Sequence, residues 1–360
     1  MKSNWAVILV AAALCIAASA AFAGKPQPPP PTSSATVFFS QYQVGTNWFS
    51  MNVNGGSKTM LAGTRGIGMS RVQYAGSFVT VQLAPNGGTY PNGEAAQDLR
   101  VQPVNSTSYV TLMIGSRFHL SAGYTTASFV PDHPTQLSFT ALEWDPAAAW
   151  IDGAWSPAPE AGFFIVDLAL GSDGSITGVA GDPVMVLPTG PPQTDSSPSR
   201  KGDMLRFECS HAFDWIGSTK IAWASWRRSL AIREIRISNL SDPLLSYVVV
   251  GGPNAWGPVA VNPSRTKVCF GDSRGLVETN LDGSGAFLWA DNLAWTTTIK
   301  RQKGHEVQNP QYVDDDTLIY TYQVVDGTFP PFDVYKATRS GTKTNLTSDL
   351  STSAALGFVR

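Results

Sequence analysis

Charge is what this chain of 360 residues is short of: Asp, Glu, Lys and Arg make up 14% of it, against about a quarter in an ordinary soluble domain. The charges nearly cancel, at a formal net of -2, which removes the electrostatic basis for binding nucleic acid or an anionic membrane surface. Histidine is scarce, with four residues, and none has a partner at the i+2 or i+4 spacing that local metal sites favour. Three cysteines are present. Beyond residue 23 no apolar run approaches the ~20 residues of a membrane-spanning helix.

What is present begins with a leader. Lys2 gives a positive start, Trp5 to Ala21 form an almost unbroken apolar run, and Ala21-Phe22-Ala23 supplies the small-x-small pattern read by a signal peptidase. Residues 1–23 are therefore expected to be a signal peptide, and the mature chain to be periplasmic or secreted. Cys15 follows Leu14 where a lipoprotein signal wants a small residue, so a lipid anchor is not expected. Residues 24–34 run through Pro28 to Pro31 into Thr32-Ser33-Ser34, an extended linker without a core. Folding is expected over residues 35–360. Cys209 and Cys269 remain there, and the spacing leaves open whether they pair or stay buried thiols.

The 33 glycines and 25 prolines favour short strands and tight turns over helices. Their arrangement repeats. Pro131 to Thr140, Ile216 to Ala224, Pro263 to Gly271 and Asp314 to Thr321 each read as a turn, then a short strand ending in an aromatic and small or polar residues. Ala35 to Ser40 repeats the strand without the turn, and Ala75 to Val81 is a degenerate copy. A second strand follows each and closes on a turn such as Asn54-Gly55, Asp173-Gly174, Asp282-Gly283 or Ser340-Gly341, where Gly or Asn supplies the positive φ of tight hairpins. A third strand comes after it, and a short apolar element precedes each turn. Four antiparallel strands in roughly 45 residues is the scale of a propeller blade, and the count of units is six.

The order of turn, aromatic-ended strand, Asp-Gly turn and Asn345-Leu346-Thr347 resembles the TolB-like propeller repeats, best over Leu276 to Leu346. The resemblance spans nearly all of residues 35–360 with degraded motifs. No counterpart of the separate N-terminal α/β domain of TolB precedes Val37. It implies an all-β fold, a six-bladed β-propeller, and a role in holding a protein or peptide partner in the cell envelope. The first unit lacks one strand, and Ala355 to Val359 is a strand without a unit. The ring is therefore expected to be closed by pairing of the C-terminal strand with the N-terminal blade.

Long insertions fall at Ala84 to Gln97, Glu143 to Gly162, Pro188 to Ser210 and Asp291 to Gln308, all at strand ends that emerge on one face of such a fold. Confinement to one face marks a binding face. In or beside the insertions lie Trp144, Trp150, Trp155, Trp226, Trp256, Trp295, Tyr90 and Tyr124, rings that suit peptides, partner proteins or sugars. The same rings would also serve as a plug or as packing between sheets, and residue type alone does not separate these uses. An alternative is an enzyme or lectin-like protein for oligosaccharide, in which His119, His211 and His305 hold a divalent metal; the primary reading has no cofactor and no catalytic residue. Gly271-Asp272-Ser273-Arg274-Gly275 matches a nucleophile elbow in letters only, since that device needs a strand followed by a helix.

Overall fold

Alternation sets the architecture. Val37, Phe39 and Met51 pack in one cluster, and Val268 and Phe270 in another while Cys269 between them enters a third, as the strand period that sends successive side chains to opposite faces requires. Both faces are covered, so Phe38 and Cys269 are as buried as their neighbours. The computed structural model describes residues 35–43, 45–61, 68–69, 78–90, 93–103, 107–112, 114, 117–120, 125–145, 147, 149–151, 154–156, 160–188, 205–207, 213–227, 232–250, 255–293, 304–325, 332–350 and 354–359. The chain divides into two compact units, Met1–Pro30 and Pro31–Arg360. The expected signal peptide and linker at residues 1–34 lie outside the described residues.

The regular elements described in the second unit are all strands. The first sheet runs in the order Ala354–Val359, Thr36–Gln43, Gly45–Asn52, Thr59–Met60. The second holds Gly68–Met69, Phe78–Thr89, Ala95–Pro103 and Val110–Leu112. The third is built on His133–Glu143 and Glu160–Leu170, with Phe118–His119, Ala127–Val130, Ile176–Val179 and Val184–Pro188 added to them. The fourth contains Leu205–Phe207, Phe213–Trp215, Lys220–Arg227, Ile232–Asn239 and Asp242–Val250. The fifth runs Ala255–Val261, Lys267–Asp272, Gly275–Asn280, Phe287–Asp291, and the sixth Gly304–Asp314, Thr317–Val325, Phe332–Thr338, Lys343–Asn345. A separate hairpin joins Ala149–Ile151 to Ala154–Ser156.

Apolar seams join neighbours. Leu83, Leu99 and Val101 of the second sheet pack with Phe139, Phe164 and Leu168 of the third. Phe163 of the third meets Phe213 and Trp223 of the fourth. Ile235 and Ile237 of the fourth pack on Phe270 of the fifth. Cys269 and Trp289 of the fifth pack on Tyr320 of the sixth, and Ile319 and Val334 of the sixth on Phe39 and Leu356 of the first. At about 25 cal/mol per Å² of apolar surface removed from water, these seams are the main source of stability.

The closed six-bladed β-propeller expected from the repeat is not what the structure contains. Among the described residues the strands form seven sheets, of two to six strands, and each is an open ladder with two ends rather than part of a closed barrel or propeller. Ala354–Val359 does pair antiparallel with Thr36–Gln43, from Val37↔Val359 to Gln41↔Ala354. That pairing completes one open sheet whose other end is Thr59–Met60. The repeat was legible as turns, but segments taken as insertions carry strands of their own. Leu205–Phe207 joins the fourth sheet, and Ala149–Ile151 with Ala154–Ser156 forms the separate hairpin, so the units are unequal.

Candidate functional site

Three of the residues singled out from the sequence come together at one end of the second and third sheets. Tyr90 stands at the turn between Phe78–Thr89 and Ala95–Pro103, where Gly93 N donates to Tyr90 O at 2.9 Å and Gly93 takes a φ of +82°. His119 ends the short strand Phe118–His119, which pairs with the last residues of His133–Glu143 through Leu142↔His119 and Glu143↔Phe118. Trp144 follows directly, its amide donating to Arg117 O at 2.6 Å. The Tyr90 ring meets the His119 imidazole edge-on at 4.3 Å, and the Trp144 ring lies 6.2 Å from it on the other contact.

Tyr90 is 3% exposed and Trp144 4%, so these rings brace the end of the sheets. The Tyr90 hydroxyl receives the amides of Gln97 and Leu120, both at 3.0 Å. Burial raises its pKa. The buried His119 places Nε2 2.7 Å from a carboxylate oxygen of Glu94, whose side chain is mostly exposed. Burial lowers the pKa of His119, and Glu94 opposes that shift through its charge and hydrogen bond. Sequence reading missed Glu94; its signal was position, four residues after Tyr90 in the connection between two strands.

The hairpin follows Trp144 in the chain. His133–Glu143 and Glu160–Leu170 pair as far as Glu143↔Glu160. Between those two ends the chain forms the separate ladder Ala149↔Ser156, Trp150↔Trp155, Ile151↔Ala154. Two predicted tryptophans are thus cross-strand partners. On the side of its base, Arg117 Nε is 3.3 Å from Glu143.

The remaining candidates are dispersed. Trp226 lies in Lys220–Arg227, with Arg206 and Arg233 as its register partners. Trp256 is half-buried opposite Gly271, its indole lying where a side chain on that glycine would be. Tyr124, Trp295 and His211 lie outside the described residues. His305 belongs to the sixth sheet, stacked on Tyr322 at 5.1 Å with Nε2 2.9 Å from Asp291 O. Among the described residues no group of three or more His, Cys, Asp or Glu is placed to hold a metal ion. Ser273 sits in a two-residue hairpin turn closed by Asp272↔Gly275; Gly275 has φ +136°, and a Cβ there would meet Ala290 O at 2.0 Å. Both glycines of the motif are explained by turn and packing.

No protein-family model matches the chain, and no curated protein matches it in sequence. Among solved structures it is similar to a TolB of Agrobacterium tumefaciens, with 11% identity, 87% of this chain and 88% of that one covered, and a TM-score of 0.48. It is similar to the oligogalacturonate lyase of Vibrio parahaemolyticus, with 13% identity, 87% and 89% covered, TM-score 0.44. It is also similar to TolB of Acinetobacter baumannii, with 10% identity, 92% and 68% covered, TM-score 0.47. These are distant structural resemblances, at 10–13% identity and TM-scores below 0.5.

Proposed function

We propose that this chain is an exported, non-enzymatic scaffold that holds a protein or peptide partner through the hairpin Ala149–Ile151 and Ala154–Ser156. The observation that carries the reading is that the two strands of this hairpin pair with each other, apart from the six larger sheets, with Trp150 opposite Trp155. A two-stranded ribbon alone is marginally stable in water. A partner that packs on it supplies the missing burial, and tryptophan is the residue type most enriched among those that dominate binding energy. The base is stiff enough to present it: Trp144 is buried against His119, and Tyr90 is bonded to the backbone at Gln97 and Leu120. Export is read from the apolar stretch at residues 5–21 behind Lys2.

The test is a pull-down from cell-envelope extract, comparing the wild type with a Trp150→Ala, Trp155→Ala double variant of equal thermal stability. A partner recovered by the wild type and lost from the variant is the expected result. Equal recovery of every partner by both proteins rules out this hairpin as the contact.

A further inference from the structure

Charge is spread unevenly along the chain. Between residues 118 and 199 there is no Lys or Arg, while nine of the 27 Asp and Glu fall there. All 25 Lys and Arg belong to the rest of the sequence. The stretch without them carries the third sheet, from Phe118–His119 to Val184–Pro188, and the hairpin Ala149–Ile151 with Ala154–Ser156.

Acids gather at the neck of that hairpin. Glu143 and Glu160 are register partners on the two strands that lead into it and out of it, and like charges directly opposite each other destabilise a strand pair. Arg117 is shared between two carboxylates, with Nε 3.3 Å from Glu143 Oε1 and Nη1 3.9 Å from Asp182 Oδ2. Asp145 is exposed, and its Oδ1 accepts the amide of Ala147 at 2.7 Å, a hydrogen bond that brings no counter-charge. In sequence Asp152 stands between the two strands of the hairpin.

These carboxylates are dispersed. Among the described residues no three of His, Cys, Asp or Glu are placed to hold one metal ion, so the charge suits several separate cations better than a single divalent one. Lysine and arginine side chains along one extended segment are cations of that kind. A guanidinium or ammonium is also attracted to the face of an indole ring, and Trp150 and Trp155 are in register between the acids. Acid and indole select the same chemistry.

We propose that the partner held by the hairpin is a basic peptide segment, its Lys or Arg side chains met by Glu143, Asp145, Asp152 and Glu160 around the Trp150–Trp155 pair. This rests on the hairpin being the contact surface and adds what that surface selects. Opposite charge steers the segment in and fixes its orientation. A cation bound at the neck also relieves the repulsion within the Glu143–Glu160 register pair.

The experiment follows the fluorescence anisotropy of a labelled peptide of four Arg-Gly-Ser repeats on addition of the purified full chain, beside the same peptide with neutral citrulline in place of arginine. The arginine peptide should bind roughly tenfold tighter in dilute buffer and lose that advantage near 1 M salt, where the screening length falls to about 3 Å. An Asp145→Asn, Asp152→Asn variant should lose most of the preference. An Asp173→Asn, Asp282→Asn variant, with as much charge removed from exposed turns at the far end of Glu160–Leu170 and in the fifth sheet, should keep it. Equal binding of the two peptides by the wild type, or the same loss in both variants, overturns the proposal. The pull-down separates it from the reading beneath it. A partner lost with the two tryptophans but fully recovered by Asp145→Asn, Asp152→Asn keeps the hairpin as the contact and sinks its choice of basic segments, whereas replacement of both tryptophans without loss of partner or arginine peptide sinks the contact itself.

Discussion

The buried carboxylate of Glu278 accepts the hydroxyl hydrogen of Tyr312 at 2.7 Å, across the seam between the fifth and sixth sheets. It also accepts Trp289 Nε1 at 3.1 Å, Lys267 Nζ at 3.0 Å and Arg339 Nη2 at 2.8 Å. The Arg339 guanidinium lies over the rings of Phe287 and Trp289, 4.8 Å from each. One acid therefore gathers donors from both sheets.

Removing it should cost more than any one of those bonds. Glu278→Ala leaves Lys267 and Arg339 without their buried counter-charge, but both are partly exposed and Arg339 keeps Asp316 at 3.0 Å, so the loss should be about 1–3 kcal/mol. The fall should appear as a lower urea midpoint with an unchanged slope. Glu278→Gln, which keeps the shape and some acceptor capacity, should lose less.

The same carboxyl gives a pH dependence. Burial would raise its pKa, but hydrogen bonds from Arg339, Tyr312 and Lys267 outweigh burial and hold it below the ordinary value of 4.5. A depressed folded-state value means the unfolded chain binds the proton more readily. The stabilisation from Glu278 is fully present above the ordinary glutamate range and is lost as pH falls through the folded value. Acid titration of stability should show a smaller loss in Glu278→Gln than in the wild type.

Gly271 and Trp256 form a second tight relationship. A Cβ on Gly271 would lie 2.3 Å from Trp256 Nε1, closer than any real contact. Gly271→Ala should destabilise by about 1–3 kcal/mol through overpacking. Combined with Trp256→Ala it should cost less than the two singles added together, and thermal melts of the four proteins of the cycle measure that coupling.

Deleting residues 354–360 should be poorly tolerated. The last strand covers Thr36–Gln43 along five register pairs, and Leu356 N donates to Thr321 Oγ1 at 3.0 Å, tying the sixth sheet to the first. Without it the backbone edge beside Phe38 and Phe39 is open to pairing with other chains. Size-exclusion chromatography should show aggregate that the full chain does not form, while a change confined to Lys58 or Asp349, an ion pair at 2.8 Å with Asp349 largely exposed, should leave the profile unchanged.

Turn chemistry was the legible part of this sequence. Gly55, Gly174, Gly283 and Gly341 all adopt positive φ, from +79° to +93°, at the places where Asn-Gly, Asp-Gly and Ser-Gly were read as hairpin turns. That requirement is local, so the sequence displays it. Sheet membership is not local. Ile176–Val179 pairs with Leu168 to Leu170, and nothing in its own four residues distinguishes a strand from a loop. Closure of a ring was inferred from a missing first strand and a spare last one; those two strands do pair, yet the organisation of sheets depends on contacts between distant segments that a repeat does not encode. The aromatic candidates divide for the same reason. Tyr90 and Trp144 are buried because His119, far along the chain, sits between them, whereas the pairing of Trp150 with Trp155 follows from the short hairpin that joins them.

The union of Val37 with Val359 and its neighbours also fixes an order of events in time. Ribosomes deliver Thr36–Gln43 long before Ala354–Val359, so that side of the earlier strand stays unzipped until the later one arrives. Bringing such distant segments together is the slow kind of step, and throughout the delay the nascent molecule shows a chaperone a strip that the finished one conceals.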